Sequence, residues 1–278
     1  MTMQILSTQA WVGLLVVAAI AVRSYRRESL TPWGCIVALC TGSFYALHPN
    51  RPLILLLAFF LTGTKLTSWG HDLKHELLMD PAASKQPDAP KKKGRTSMQV
   101  LCNSAPATIL LAIHSITTVT HREPALTASL NDLLMVGVIA QYGCSAGDTF
   151  ASEIGVLNDD WPLLITTLQK VPPGTNGGVS LLGVLASLMG GGVIGVAALL
   201  MPAHSVYTRM GYFCIAVASG FFGSLFDSIL GATMQRTVYD QEMKKVLEAH
   251  GGTSVQVKAD TEDKLIIIGS DILDNNQQ

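Results

Sequence analysis

Charge is what this chain has least of. Only 14% of its residues are Asp, Glu, Lys or Arg, against about a quarter in an ordinary soluble domain. The few charges lie between long uncharged runs, and 49% of the residues are hydrophobic. That pattern excludes a simple soluble globule and leaves a polytopic membrane protein. A basic arm is lacking and the net charge is −1, so no nucleic-acid partner is expected. Cysteines are sparse. Cys35, Cys40, Cys102, Cys144 and Cys214 stand in or beside apolar runs at no metal-like spacing, and their odd number argues against a disulfide framework. They read as small apolar packing residues. An Arg- and Ser-rich transit peptide is also lacking, which argues against a plastid or mitochondrial destination.

What is there is a series of apolar runs. Seven spans are expected, at about 5–22, 33–47, 53–69, 98–118, 126–144, 178–201 and 210–232. A helix needs about 20 residues to cross the hydrocarbon, so the second and third are short. They either tilt little or form a re-entrant pair that turns at Arg51 and Pro52. No positive charge precedes the first run, whereas Arg23, Arg26 and Arg27 follow it. That is the pattern of an anchor with an outside N-terminus, not of a cleaved signal. With that start, most other Lys and Arg fall on inside segments, and the outside turns hold Arg51, Arg122 and Arg209. The bias puts residues 145–177 on the cytoplasmic side. The layout is an integral membrane domain over 1–235 followed by a polar cytoplasmic tail over 236–278. In that tail Tyr239 to His250 would form an amphipathic helix, and Lys264 to Ile268 a short strand.

The last two spans are built for close packing. Gly183, Ser187, Gly191 and Gly195 recur every fourth residue, as do Ala216, Gly220, Ser224 and Ser228. Small residues at this spacing let helix backbones approach in lipid. The Gly190-Gly191-Gly192 triplet is alternatively a place for the helix to loosen or break. The basic run Lys91-Lys92-Lys93-Gly94-Arg95 is either a solvated or headgroup-facing segment or an attractor for an anionic substrate.

Chemistry concentrates around the end of the fifth run. Asp148 and Glu153 lie five residues apart; on a continuous helix they would point about 140° apart. A break at Gly143, Gly147 or Gly155 would let them converge. Their oxygens suit Mg²⁺, which commonly takes one or two carboxylates plus substrate phosphates. Helix-end carboxylates in water are the plainer reading. Asp227 stands inside the seventh run beside Phe226, and a carboxylate there is costly unless it faces a polar cavity or a partner. Its surroundings weakly echo the Gly147-to-Gly155 segment, as a decayed repeat would. Lys170 opens the stretch Val171-Pro-Pro-Gly-Thr-Asn-Gly-Gly178 before the sixth run. Glycines let backbone N–H groups approach an anion, and a helix N-terminus adds donors and a positive dipole end. The design is that of a phosphate cradle without Walker spacing; a capped turn is the alternative. Softer candidates have plain explanations. Lys65 would snorkel, Asn131 and Asp132 would cap the fifth span, Asn103 and Ser104 would begin the fourth, and His114 would be a hydrogen-bonded bundle residue.

These residues resemble a known family. Cys144-Ser-Ala-Gly-Asp-Thr-Phe-Ala-Ser-Glu-Ile-Gly155, Lys170 to Val179 and Asp227-Ser-Ile-Leu-Gly-Ala-Thr-Met-Gln235 look like the transmembrane protein 19 family. Leu61 to Thr67, Gln99 to Asn103 and Ile272 to Asn276 are similar too. The family includes the plant phytyl-phosphate kinase of vitamin E synthesis. The resemblance implies an all-α membrane bundle of about seven spans, here lacking a C-terminal one, since family members usually continue past the Asp-Asn-Asn motif. It also implies phosphoryl or nucleotidyl transfer from CTP or ATP to an isoprenoid alcohol or phosphate. In that chemistry Asp148 and Asp227 would hold Mg²⁺, Glu153 would be a further ligand or orienting base, and Lys170, Thr175, Asn176, Gly177 and Gly178 would bind nucleotide phosphates. The setting would be the endoplasmic reticulum or another endomembrane. A lipid or small-solute transporter and a non-catalytic membrane protein are the competing readings.

Overall fold

The structure is a computed structural model that describes residues 8–79, 94–120, 124–158, 160–202, 209–240, 245–247, 265–269 and 272. Among these are seven α-helices: α1 (Thr8–Arg26), α2 (Pro32–Leu47), α3 (Leu53–Leu77), α4 (Ser97–Thr120), α5 (Pro124–Ile154), α6 (Leu181–Leu199) and α7 (Arg209–Met234). The chain is an all-α membrane helix bundle with small β additions. By length and composition α1, α4, α6 and α7 can each cross a membrane, and α2 and the Leu53–Trp69 part of α3 are shorter apolar helices. Large apolar side chains such as Leu15, Ile109, Val119, Leu181 and Phe222 are exposed, while Ser104, Thr117, Ser187 and Ser224 are buried. A soluble protein would reverse that arrangement.

The chain divides into two compact units. The first comprises residues 1–62, 91–143 and 191–219. There α1 packs on α2 through glycine, since a Cβ on Gly42 would lie 2.7 Å from Val17. The turn after α1 is tied to the segment before α4, with Arg95 N–H donating to Ser29 O at 2.9 Å and Thr31 N–H to Arg95 O at 3.0 Å. The core is aromatic and hydrogen-bonded. Tyr142 donates to Tyr45 at 2.9 Å, their rings meet edge to face with centroids 6.1 Å apart, and Thr108 donates to Tyr45 at 3.4 Å.

Just past α2, His48 is buried beside His114, with ring centroids 4.9 Å apart. Asn50 N–H donates to His48 Nδ1 at 3.2 Å, so the neutral His48 ring carries its proton on Nε2. His114 bonds through Nε2 to the Asn50 side chain at 3.1 Å, as a bundle histidine should. Asn131 and Asp132 are not a cap: both lie inside α5. Asn131 exchanges hydrogen bonds with Thr117 and Thr118 on α4, at 2.6 and 3.0 Å.

The second unit comprises residues 63–90, 144–190 and 220–278. Strand β1 (Leu78–Met79) belongs to a four-stranded sheet of order β1-β5-β4-β6 with β4 (Thr237–Asp240), β5 (Lys245–Leu247) and β6 (Leu265–Ile268). The sequence predicts a helix from Tyr239, but the described parts of 237–247 are strands. Thr237, Val238 and Tyr239 are β-formers; they pair with Leu265–Ile268 and are themselves buried. The short strand expected there is present.

Two expectations about helix continuity change. α5 does not break at Gly143 or Gly147 but runs unbroken to Ile154, ten residues past its expected end at 144. α6 likewise passes straight through its glycine triplet. Interior glycines cost a helix about 1 kcal/mol each, and backbone approach offsets this. In the first unit a Cβ on Gly143 would lie 2.6 Å from Ala216 O, and one on Gly191 at the same distance from it. In the second, a Cβ on Gly147 would lie 2.4 Å from Gly220 O and one on Gly190 2.4 Å from Ala146 O. The small-residue stripes are packing surfaces, as expected.

Two predictions follow from these contacts. Gly147→Leu should destabilise the detergent-solubilised protein by about 3 kcal/mol or more, since backbone cannot move aside as a side chain does. Gly192→Ala, where nothing lies within 4 Å, should leave the thermal midpoint unchanged or slightly raised; equal effects would refute the close-approach account. Burial, reinforced by the charge of His114, lowers His48 from 6.5 to about 4. The unfolded chain therefore takes up a proton that the folded chain refuses between those values. Stability should fall as pH drops from 6.5 towards 4, and His48→Gln should flatten that part of the wild-type curve of midpoint against pH.

Candidate functional site

The site builds from the α5–α7 contact in the second unit. These two helices run parallel here, with Gly147 against Gly220 and Cys144 against Gly223, where a Cβ would lie 2.3 Å from Cys144 Sγ. One turn on from the Cys144–Gly223 contact, on both helices, stand Asp148 and Asp227, and their side chains are hydrogen-bonded to each other. Convergence of Asp148 with Glu153 was expected within one broken helix; the pair that forms is the one the resemblance named, Asp148 with Asp227, between two intact helices. Both groups are half-buried, and Phe226 next to Asp227 is exposed.

Two carboxyls in hydrogen-bond contact cannot both be ionised unless a proton or a cation lies between them. Among the described residues, no three His, Cys, Asp or Glu side chains gather in a metal-binding group. That does not fit a structural zinc site, which needs four protein ligands. It does fit Mg²⁺, which takes one or two carboxylates and fills its shell with water and phosphate oxygens.

Glu153 does not join the pair through its own helix. α5 is continuous, so five residues turn it about 140° from Asp148. It is buried, at 9% exposure. A 3-10 turn, Gly155–Leu157, follows it.

Residues 162–179 fold into an arch. Strand β2 (Leu163–Leu164) pairs antiparallel with β3 (Gly178–Val179), and Leu163 also bridges to Lys170. Leu164 and Val171 bury against Ala232 of α7, with Ile165 and Ile268 beside them. Lys170 is exposed. The loop touches α7 one turn beyond Asp227. Gly177 has φ +77, and a Cβ there would lie 2.4 Å from Ala232 Cβ and 2.6 Å from Ser228 O. Only glycine suits both that backbone conformation and that contact.

The loop's N–H groups are largely committed within the chain. Thr175 N–H donates to Pro172 O at 3.2 Å and Gly178 N–H to Thr175 O at 3.0 Å. Asn176 N–H donates to the Thr237 hydroxyl at 3.0 Å. The buried Thr175 hydroxyl donates to Pro172 O at 2.7 Å. At the start of α6, the Ser180 hydroxyl accepts from Gly183 N–H at 3.1 Å. The Lys170–Gly178 segment is thus a self-bonded turn in this structure. What it exposes most is the Lys170 side chain, while Asn176 is half-buried with its Cβ near Gly231 of α7.

Sequence reasoning passed over Gln235, the last residue of the Asp227 motif. It is 3% exposed, and its side-chain nitrogen has no hydrogen-bond partner among the described residues. Nothing in its chemistry marks it in sequence; only burial does. The Asn275-Asn276 motif lies outside the described residues, as do Lys91, Lys92 and Lys93. Lys65 is exposed near the middle of α3, as a snorkelling lysine would be.

The loop geometry can be checked directly. Gly177→Ala should detach the arch from α7. Amide hydrogen exchange of residues 171–178 should then accelerate by at least about tenfold, the equivalent of 1.4 kcal/mol, while exchange in α4 stays unchanged. Wild-type protection in the arch would refute the packing described.

Residues 15–278 match the family model described as integral membrane protein DUF92. Protein PGR of Arabidopsis thaliana is 34% identical over 276 residues, 95% of this chain and 88% of that protein. The uncharacterized membrane protein MJ0933 of Methanocaldococcus jannaschii is 28% identical over 228 residues, 81% of this chain and 83% of that one. Protein VTE6, chloroplastic, of Arabidopsis thaliana is 29% identical over 161 residues, covering 58% of this chain and 44% of its own length. No solved structure matches. The chain belongs to the DUF92 family of integral membrane proteins.

Proposed function

We propose that this protein is a metal-dependent kinase or nucleotidyl-type transferase acting on an isoprenoid alcohol or isoprenoid phosphate, with CTP or ATP as donor. The observation that carries the reading is the hydrogen-bonded Asp148–Asp227 pair between two membrane helices. Such a pair is costly in lipid and is accounted for when a cation and phosphates complete it. The activity that the family resemblance implies points the same way. The unbroken α6 removes one support from the transporter reading, which drew on a discontinuous helix.

In this reading Asp148 and Asp227 hold Mg²⁺, which when bound neutralises charge on the transferring phosphoryl group. Lys170 and the Asn176 side chain contact the donor's phosphates. Because most loop amides are engaged, Thr175, Gly177 and Gly178 set the shape of the turn more than they bind the anion. Glu153 is the orienting base and not a further ligand, since among the described residues no third carboxylate gathers with the pair. In the kinase an acceptor oxygen bonds to the donor's terminal phosphorus and the nucleoside diphosphate leaves as the bridging P–O bond breaks. In the nucleotidyl transferase the bond forms at the α-phosphorus and pyrophosphate leaves. A hydroxyl acceptor's proton passes to the base. In this reading the membrane is the endoplasmic reticulum or another endomembrane, with the arch on its cytoplasmic side, as the positive-inside bias of the sequence leads one to expect, and soluble nucleotides are on that side.

Purified protein in vesicles, given radiolabelled CTP or ATP with a prenyl alcohol or prenyl monophosphate, should move label into the lipid extract. Asp148→Asn and Asp227→Asn should each reduce transfer by about a hundredfold or more. Lys170→Ala should act mainly by raising KM for the nucleotide. Absence of transfer with every donor and acceptor, from protein shown to be folded, would overturn the proposal.

A further inference from the structure

The arch has an outer face whose apolar residues the proposed chemistry leaves idle. Leu163 pairs with Val179 on one side and with Lys170 on the other. Cross-strand partners share a face of a sheet, so these three side chains stand together. The next residues, Leu164 and Val171, turn to the opposite face and bury against Ala232 of α7. Nothing in the chain covers the outer face. Leu163 and Lys170 are exposed, as are Trp161 at the start of the arch and Leu168 at its tip.

Leu168 is out of place in its turn. Its φ is +55, a left-handed conformation that strains a bulky residue and favours glycine. Leu168 N–H donates to Leu164 O at 2.8 Å, and Leu164 N–H to Gln169 O at 2.9 Å. Glycine would make the same bonds without strain, yet the position carries a leucine that is 71% exposed. The leucine gives the turn nothing; what it adds is an apolar group on the outside.

Helix α7 sets the level of the arch relative to the lipid. That helix has 26 residues, about 39 Å of length against about 30 Å of hydrocarbon, so its ends reach the headgroup layers. Gly177 of the arch meets it at Ser228 and Ala232, within the last two turns before Met234. The outer face is also continuous with a lipid-facing one. On α6, Leu181, Leu185 and Met189 are exposed at every fourth position. Leu181 stands two residues after Val179, the partner of Leu163, and two residues span at most about 7 Å. A tryptophan, two leucines and a lysine at that level suit a headgroup layer, which takes apolar bodies inward and a cation at its phosphates.

We infer that the outer face of the arch docks on the headgroup layer of the protein's own bilayer, with Trp161, Leu163 and Leu168 inserted at the boundary between headgroups and acyl chains. None of these three takes part in the proposed phosphoryl transfer, so the contact stands or falls apart from that activity.

Tryptophan fluorescence tests this on the full chain. Of the four tryptophans, Trp11, Trp33 and Trp69 are replaced by Phe, and the protein is placed in phosphatidylcholine vesicles at a low protein-to-lipid ratio. The lipids carry bromine either near the headgroup end of the acyl chain or near its far end. The shallow bromine should quench Trp161 at least about twofold more than the deep one, as insertion by only ~5–10 Å requires. Acrylamide in the water should quench it far less than in the denatured chain. Leu168→Gly should leave the thermal midpoint unchanged or raised, yet cut the shallow quenching about twofold, because it removes the most exposed of the three apolar groups. If the Phe variant fails to fold, the unaltered chain is used with a phosphatidylcholine bearing a diazirine near the headgroup end. Adducts should then fall on residues 161–168 as often as on Leu181. Four outcomes would each overturn the inference. Trp161 open to acrylamide and untouched by either bromolipid would put the arch in water. Protection without bromolipid quenching that grows with the protein-to-lipid ratio would mean a second copy of the chain. The same protection at every ratio would mean cover by another segment of this chain. A lowered midpoint in Leu168→Gly with unchanged quenching would make Leu168 a residue of the turn alone.

Discussion

The missing side chains at Gly147 and Gly220 hold the rest of the site in place. A Cβ on the first would meet the backbone of the second at 2.4 Å, so α5 and α7 run together with no layer of side chains between them. Lipid tails are as apolar as leucine, and no hydrophobic force drives helices together in them. Close van der Waals contact between small residues does so. The same contact puts Asp148 and Asp227 within hydrogen-bonding reach. Insert a methyl group at Gly147 and the helices separate, and with them the carboxyls. Stability and site geometry rest on one feature.

Hydrogen-bonding capacity shows why this pair differs from the hydroxyls and amides in the helices around it. A helix interior offers nearby carbonyl oxygens, which are acceptors. Hydroxyls and amides can donate to them and need nothing from outside. Thr149 does so to Ser145 O at 2.8 Å, Ser228 to Ser224 O at 3.0 Å, and Asn103 to Gln99 O at 2.9 Å. An ionised carboxylate has nothing to donate, and its own helix cannot satisfy it. It must look elsewhere for a donor, a proton or a cation. Two such groups facing each other need a shared positive charge, which makes the pair a meeting point for something that is not backbone.

Much of this was legible in the sequence. The apolar runs located the helices, because length and composition are enough for a span. Asp227 stood out because a carboxylate in an apolar run is rare. The glycines of α5 were read with the wrong sign, those of α6 and α7 as the packing residues they are. Within one helix a glycine is a weak point, and only the neighbour's backbone at Ala216, Gly220 or Ala146 shows that it is a contact. For the same reason a convergence of Asp148 with Glu153 was sought along α5, whereas the pairing of Asp148 with Asp227, 79 residues away on α7, was expected only from the family resemblance. The fate of the loop amides was equally hidden, since Asn176 N–H bonds to a hydroxyl 61 positions on, at Thr237. The tail's strands were missed because a polar stretch with scattered apolar residues fits both periods until a pairing strand is known.

The arch explains how a self-bonded turn can still belong to a phosphate site. Its amides are engaged with Pro172, Thr175 and Thr237, so it is not the flexible nest that its glycines suggest. A turn whose backbone bonds are already made is preorganised, however. It holds Asn176 one helical turn from Asp227 through the Gly177–Ala232 contact, and keeps Lys170 on the paired edge beside Leu163. Positive charge for an incoming anion then comes from a mobile side chain and from whatever cation the carboxyls share, rather than from the loop's peptide dipoles. That division suits a ligand which arrives with its own metal ion. Under the proposed function the protein would supply negative charge for the cation and Lys170 for the anion, without a permanent positive cradle beside a membrane surface.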